Sequence, residues 1–519
     1  MKMMQKIDRR HFIEAAASAA ALGGIGLPLS ARSAAPLAQL RSAVRGHVIT
    51  PADSAYRSKS EPWNARFANV LPAAIVIVAD AHDVGRTIAF AREHGLPFVV
   101  RNGGHSFAGF SASHGLIVDV SALREVRIDS KNQRATFGAG FTNLALYERL
   151  WPARMSLPAG TCPTVGVTGL SQAGGFGRLS RLYGLTCDNI LELKVVDASG
   201  DVLTASDTQH SDLLWACRGG GGGNFGAVVE LTARIHPVDM SFTEIAYTFP
   251  LLHGLRVLTA MQDWIETLPP RGHVWAEIVN RAPSEGAKII VEFTLAGSEK
   301  EAFGLGHEFL SAAGVKPSAT SVETGPYIST QRGSVCAALR LEECAYTGVS
   351  GSGRIPRPAF YAKSDLIRKK WPAEAFSALI EAIARRQADR VLTPANFNPA
   401  TQIGKVAFES AGGAISQPGL DAMAFAHRDI RIVTQYQARW QPGSPASVAR
   451  ANIAWTQAMY DSVRPWLSGS AYQGYADPFL SDWQHQYYGT HVARLNEIKH
   501  KYDPENVFTY AQSLGRHSP

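Results

Sequence analysis

The chain has 519 residues, 45% hydrophobic and 18% charged, with a formal net charge of +7. At this length a single core stops growing, so two or more lobes around an enclosed site are expected, and a mainly disordered or fibrous chain is excluded. Nor does the charge indicate a nucleic-acid partner: residues 1–34 hold five basic and two acidic side chains, and the remaining +4 is scattered without an aromatic-interleaved basic run.

The first segment carries Arg9-Arg10, a weakly apolar stretch from Ala15 to Leu29 and small residues from Ser30 to Ala35. It resembles a bacterial twin-arginine export signal, cut near Ala34. The stretch is interrupted by Gly and Pro and falls short of the ~20 apolar residues a span needs, so no stable membrane insertion is expected. The implied location is periplasmic or secreted, with transient contact with the export machinery. That route carries folded proteins, often with a cofactor already in place.

From Ala73 to Val100 the pattern reads strand, helix with Asp80 and Asp83 in its first turn, strand. This β-α-β unit runs into Arg101-Asn102-Gly103-Gly104-His105-Ser106, a turn whose backbone N–H groups can face an anion. Further strands are predicted at Leu116–Val120 and Ala135–Phe137, and a helix at Thr142–Leu150. Leu157 to Gly184 is too rich in Gly, Thr and Pro for regular structure and is expected to be a loop folded around a ligand. A strand at Ile190–Asp197, a turn at Asp197–Asp201 and a short helix at Asp212–Cys217 follow.

Five glycines at 219–223 lead into the strand Ala227–Ile235. Gly221, Gly223 and Gly226 have dinucleotide-fingerprint spacing, but that fingerprint needs a strand before and a helix after, and here the order is inverted. Beyond Pro237 long strands mix with amphipathic helices, including Pro372–Gln387 and Ala446–Val463. The expected division is 1–34 signal, 35–237 cofactor domain, 238–455 substrate domain and 456–519 returning to the first domain. Five cysteines cannot all pair within one chain. Cys336 and Cys344 either bridge or stay as thiols, and no spacing suggests zinc or another metal.

The string Arg101 to Gly109 resembles the histidyl-flavin loop of the vanillyl-alcohol-oxidase superfamily, in its berberine-bridge-enzyme-like branch. Gly160-Thr161-Cys162-Pro163-Thr164-Val165-Gly166-Val167-Thr168-Gly169 is similar to that branch's cysteinyl-flavin loop. The match continues through Gly174-Gly175-Phe176-Gly177, Asp188-Asn189, Asn224-Phe225-Gly226, Tyr487-Tyr488-Gly489 and Tyr502 to Phe508. The resemblance implies an α+β fold: a two-lobed PCMH-type FAD-binding domain, split in sequence, with an inserted substrate domain whose antiparallel sheet is backed by helices.

It also implies FAD held covalently through His105 (8α-histidyl) and Cys162 (6-S-cysteinyl), Cys187 being the competing thiol. Arg101, Asn102, Gly103, Gly104, His105, Ser106 and Gly109 would surround the cofactor, together with Val165, Gly166, Thr168 and Gly169. So would Gly174, Gly175, Gly177, Asp188, Gly226, Val228 and Asn506. Ala471 to Pro478 resembles the family's Y-x-N-Y-x-D motif, with Gly474 in place of its asparagine, which makes Tyr475 the catalytic base and Tyr472 the second catalytic tyrosine. Leu170 stands where many relatives carry histidine. Val165 occupies the family's oxygen gate, where a small side chain goes with O2 as acceptor.

The expected activity is therefore oxidation of a secondary alcohol or sugar hemiacetal, on a small-molecule substrate with O2. The alternatives are a dehydrogenase using another acceptor, oxidative tailoring of an alkaloid-like product, or a non-catalytic relic, against which His105, Cys162 and Tyr475 all stand. Gln435 and Arg439, with His427 and Arg428, are candidates for the substrate pocket.

Overall fold

The computed structural model describes residues 34–348 and 351–515, so positions 1–33 of the expected signal lie outside the described residues. The first lobe starts from β1 (His47–Ile49), β2 (Ala74–Ile77), β3 (Phe98–Arg101) and β4 (Leu116–Asp119), ordered β1-β2-β4-β3. β4 lies parallel to both β2 and β3, and Ile75, Val76, Ile117 and Val118 are fully buried, as expected of parallel strands covered on both faces. The helix between β2 and β3 spans Ala81–Glu93. It is capped by the Asp80 carboxylate, which accepts from the Asp83 amide at 3.0 Å.

The second sheet of this lobe is antiparallel. It contains β5 (Val126–Asp129), β6 (Arg134–Gly138), β8 (Ile190–Val196), β9 (Val202–Ser206) and β10 (Ala227–Arg234), in the order β5-β6-β10-β8-β9. The short β7 (Met155–Ser156) pairs with β11 (His236–Pro237). The expectation of an irregular 157–184 is corrected: a helix runs from Val167 to Ala173 and a shorter one from Ser180 to Tyr183. Gly166 and Gly174 delimit the first of these, and the buried Val167, Thr168, Ser171 and Ala173 hold it against the core.

The second lobe is a seven-stranded antiparallel sheet. Its strands are β12 (Ser241–Pro250), β13 (Gly272–Val279), β14 (Lys288–Ala296), β15 (Ala319–Pro326), β16 (Ala359–Ile367), β17 (Ile403–Ser410) and β18 (Ile432–Trp440), ordered β15-β12-β14-β13-β17-β18-β16. Side chains alternate between its faces. Val274, Ala276, Ile278, Val406, Phe408 and Tyr436 enter a core with helices Gly254–Thr267, Glu299–Ala313, Ala373–Ala388 and Ala446–Ser462. Trp275, Glu277, Lys405, Glu409, Gln435, Gln437 and Arg439 leave the other face. Met459, Tyr460 and Val463 belong to this core and Trp466 and Leu467 pack against it, so a border at 455 cuts a helix and the chain leaves the lobe after Leu467.

Residues beyond it return to the first lobe: Tyr487, Tyr488, Leu495, Ile498, Phe508 and Leu514 share one core with Val76, Val118 and Leu231. Cys336 and Cys344 are bridged, with Cα atoms 5.5 Å apart. Among the described residues no helix is long and apolar enough to cross a membrane.

Candidate active site

Two glycine-bearing loops meet because neither has a side chain at the crossing. A Cβ on Gly103 would lie 2.5 Å from the Gly166 amide, and one on Gly166 would lie 2.7 Å from Asn102 Nδ2. The contact aligns the loop after β3 with the loop before helix Val167–Ala173. His105 Nε2 hydrogen-bonds Thr164 Oγ1 at 2.7 Å, and its ring stacks on Trp63 with centroids 4.3 Å apart. Burial pushes the imidazole pKa down to about 3, so His105 is neutral and nucleophilic at ordinary pH. On the helix Asn143–Leu150, Asn143 Nδ2 donates to Gly160 O at 3.1 Å and Cys162 O at 3.0 Å, which fixes the second loop.

Both loops face one cavity of about 450 Å³ between the lobes. Cys162 opens onto it as a free thiol; surrounding protein raises its pKa, opposed by the charges of Arg439 and Lys405. Cys187 is buried with its thiol on Asp188, and Cys217 is buried as well. The cavity also collects Gly226 and Val228, Tyr472 and Tyr475, and Gln435 and Arg439, besides residues 101–106 and Val165, Thr168 and Gly169. The Arg101 guanidinium itself turns away, to Ser60 O at 3.2 Å and to the Asp119 carboxylate.

Tyr475 stacks on Phe107 and meets Tyr472 edge-on, each with centroids 5.0 Å apart. The Tyr472 hydroxyl accepts from the Gly175 amide at 3.0 Å. Burial raises the Tyr475 phenol well above its ordinary range, and the Glu409 charge raises it further. The floor is the polar face of the seven-stranded sheet. Glu409 meets His273 Nε2 at 3.2 Å, Lys405 meets Glu277 at 2.7 Å, and Arg439 Nε donates to Gln437 at 2.8 Å.

Several expected site residues lie elsewhere. A Cβ on Gly174, Gly175 or Gly177 would strike the Phe425 ring, the Thr186 side chain or Ala159 O, so these glycines serve packing. Gly109 packs on Phe67 in the same way, with φ +80°. Asp188 is held by both guanidinium nitrogens of Arg428 at 2.8 and 3.0 Å, which removes both residues from the cavity. His427 Nε2 donates to Tyr487 O at 2.9 Å, and Asn506 sits in a turn with φ +52°; neither lines the cavity.

Glu409, Lys405, Trp275 and Tyr346 line it without having been singled out. The alternation that marked Gln435 and Arg439 also marks 405 and 409 in β17 and 275 in β13. Nothing local to Tyr346 signals its place.

The wall suits a flavin dinucleotide. Asn102 Oδ1, Asn143 Oδ1 and Ser111 Oγ are buried beside the cavity without a partner among the described residues. The amides of Gly103, Gly104, His105 and Ser106 donate to no protein acceptor among them, leaving a nest for an anion. Gly169 has nothing within 4 Å of where its Cβ would be.

A family model described as an FAD binding domain matches residues 72–206, and one described as berberine and berberine like matches residues 471–515. The chain is 32% identical over 472 residues to an uncharacterised FAD-linked oxidoreductase of Bacillus subtilis, YvdP, covering 90% of this chain and 98% of that one. The chain belongs to the berberine-bridge-enzyme-like FAD-linked oxidoreductases. The reticuline oxidase of Eschscholzia californica is 26% identical to this oxidoreductase, over 91% and 89% of the two chains. The solved structure of Physcomitrella patens BBE-like 1 superposes with a TM-score of 0.80 at 27% identity, covering 93% of this chain and 99% of that one.

Proposed function

We propose that this oxidoreductase holds FAD through two covalent links, His105 to the 8α-methyl and Cys162 to C6, and oxidises a secondary alcohol or sugar hemiacetal with O2. The observation that carries the reading is that His105 and Cys162 lie on touching loops that open onto one cavity together with Tyr475. Held by His105 and Cys162, FAD would supply the hydride acceptor for the substrate carbon, with O2 as the final acceptor.

The residues do the rest. Tyr475 takes the substrate hydroxyl proton; because burial and the Glu409 charge keep its phenol protonated, it accepts only as it passes its own proton on. Val165 keeps a small side chain on the cavity wall and so leaves room for O2. Export by the twin-arginine route to the periplasm or medium agrees with the Cys336–Cys344 bridge, a bond of oxidising compartments.

Acid precipitation tests the linkage: the flavin should stay with the protein, with His105→Ala and with Cys162→Ala, and leave only the double variant. Flavin lost from the parent protein refutes it. Peroxide formed in air on a panel of alcohols and oligosaccharides tests the acceptor, and dye reduction without peroxide would make it a dehydrogenase.

A further inference from the structure

The sheet fixes where Arg439 points. On β18 it lies opposite Phe360 of β16, and cross-strand partners leave the same face of a sheet. Phe360 packs on Trp63 with centroids 4.5 Å apart, and Trp63 stacks on His105. Arg439 therefore stands one cross-strand step from the wall that carries His105, in the cavity that Cys162 enters.

Three cations act on the Cys162 thiol, Arg439, Lys405 and Arg178, and the Glu409 carboxylate on the same sheet face opposes them. Two are neutralised, Lys405 by Glu277 at 2.7 Å and Arg178 by Glu244 at 3.0 Å. Arg439 donates only to the neutral Gln437, and among the described residues it makes no ion pair. Tyr346 also lines this corner. It rides on the segment beginning at the Cys336–Cys344 bridge, with its ring 5.7 Å from that of His105. Cys162 needs a cationic partner, because only a thiolate attacks and crowding works against ionisation.

We infer that Arg439 is a positioning residue for the cofactor rather than a substrate contact: its unpaired charge favours the Cys162 thiolate that bonds to the flavin ring. This rests on the proposed Cys162 linkage. In the attachment, the thiol S–H and one ring C–H break and one S–C bond forms. The two protons and two electrons leave on O2 as hydrogen peroxide.

The test starts from His105→Ala, where Cys162 alone can hold the cofactor, with and without Arg439→Gln or Arg439→Lys. Each protein is purified from riboflavin-limited cells and loaded with FAD in air between pH 6 and 9, and covalent occupancy is followed by intact mass. Arg439→Gln should slow attachment about tenfold at pH 7, the thiolate lost when a thiol pKa rises by about one unit. The deficit should persist across this range, because the thiol ionises above its ordinary pKa, and Arg439→Lys should restore most of the rate.

Iodoacetamide on the flavin-free proteins reads the same thiolate without FAD. Cys162 should lose reactivity about tenfold in Arg439→Gln while Cys187 stays unreactive, and a reactive Cys187 would reveal unfolding, leaving Arg439→Lys to decide. Equal attachment rates and pH profiles with and without Arg439→Gln overturn the inference alone. A His105→Ala protein that acquires no covalent flavin overturns the Cys162 linkage and the inference with it.

Discussion

Two glycine-rich stretches flank the helix Val167–Ala173, and they do different work. Before it Gly166 lets two loops touch, and within its first turn Gly169 faces open space, so side chains are missing where the cavity needs backbone. After it, Gly174, Gly175 and Gly177 let the chain press against Phe425, Thr186 and Ala159, so side chains are missing where the core needs room. The nearby cysteines divide in the same way: Cys162 opens onto the cavity, while Cys187 is sealed beneath it on Asp188. A glycine or cysteine in a motif marks a tight place, and only the fold tells whether a ligand or the protein itself fills the other side.

The sharpest test of this contrast is the cofactor linkage. His105→Ala/Cys162→Ala should lose all covalent flavin on acid precipitation, whereas Cys187→Ala should keep it; flavin lost from Cys187→Ala alone would reverse the assignment. Tyr475→Phe comes next, with turnover of whichever substrate yields peroxide falling ~10²–10⁴-fold while the attached flavin is unchanged. A smaller contrast separates the glycines themselves. Gly175→Ala, at φ +92° and against Thr186, should lower unfolding free energy by about 1–3 kcal/mol in a denaturant titration and leave attachment intact. Gly166→Ala should part the loops and slow attachment; equal effects of the two on attachment would erase the distinction.

The smallest effect is a pH dependence on the packed side. Burial pushes the His427 pKa from 6.5 to about 4. Below pH 6.5 the unfolded chain takes a proton that the folded chain refuses until about pH 4, so His427 lowers stability progressively as pH falls through that window. The Tm of the parent protein relative to His427→Gln should therefore drop between pH 6.5 and 4, and a constant difference would mean that His427 is not held neutral.

These contrasts also show what was readable beforehand. The β2-helix-β3 unit was legible because unbroken apolar runs and the Asp80 cap are local signals. The loops at His105 and Cys162 were legible through their motifs. The floor of the cavity was only half legible: alternation on β18 says that Gln435 and Arg439 share a face, and the same pattern on β17 gives Lys405 and Glu409, but no strand pattern says what lies opposite. Tyr346 was not legible, because a bridge at Cys336–Cys344 and packing onto Trp63 bring it in from a distant part of the chain. Asp188 misled because a carboxylate beside a flavin motif reads as a ligand contact until its partner, Arg428, 240 positions away, is seen.

The Lys499 ammonium gives the closing of the first lobe a place in time. It donates to Asn224 O at 2.8 Å, Phe508 O at 2.7 Å and the Asp503 carboxylate at 2.6 Å, clipping the late segment onto the glycine loop, and Phe508, Tyr510 and Gln512 complete the cavity wall. A ribosome makes these residues only after the whole second lobe. The wall is thus incomplete for nearly all of synthesis, and a cofactor arriving early meets an open trough, so enclosure waits until residues 499–512 have been made.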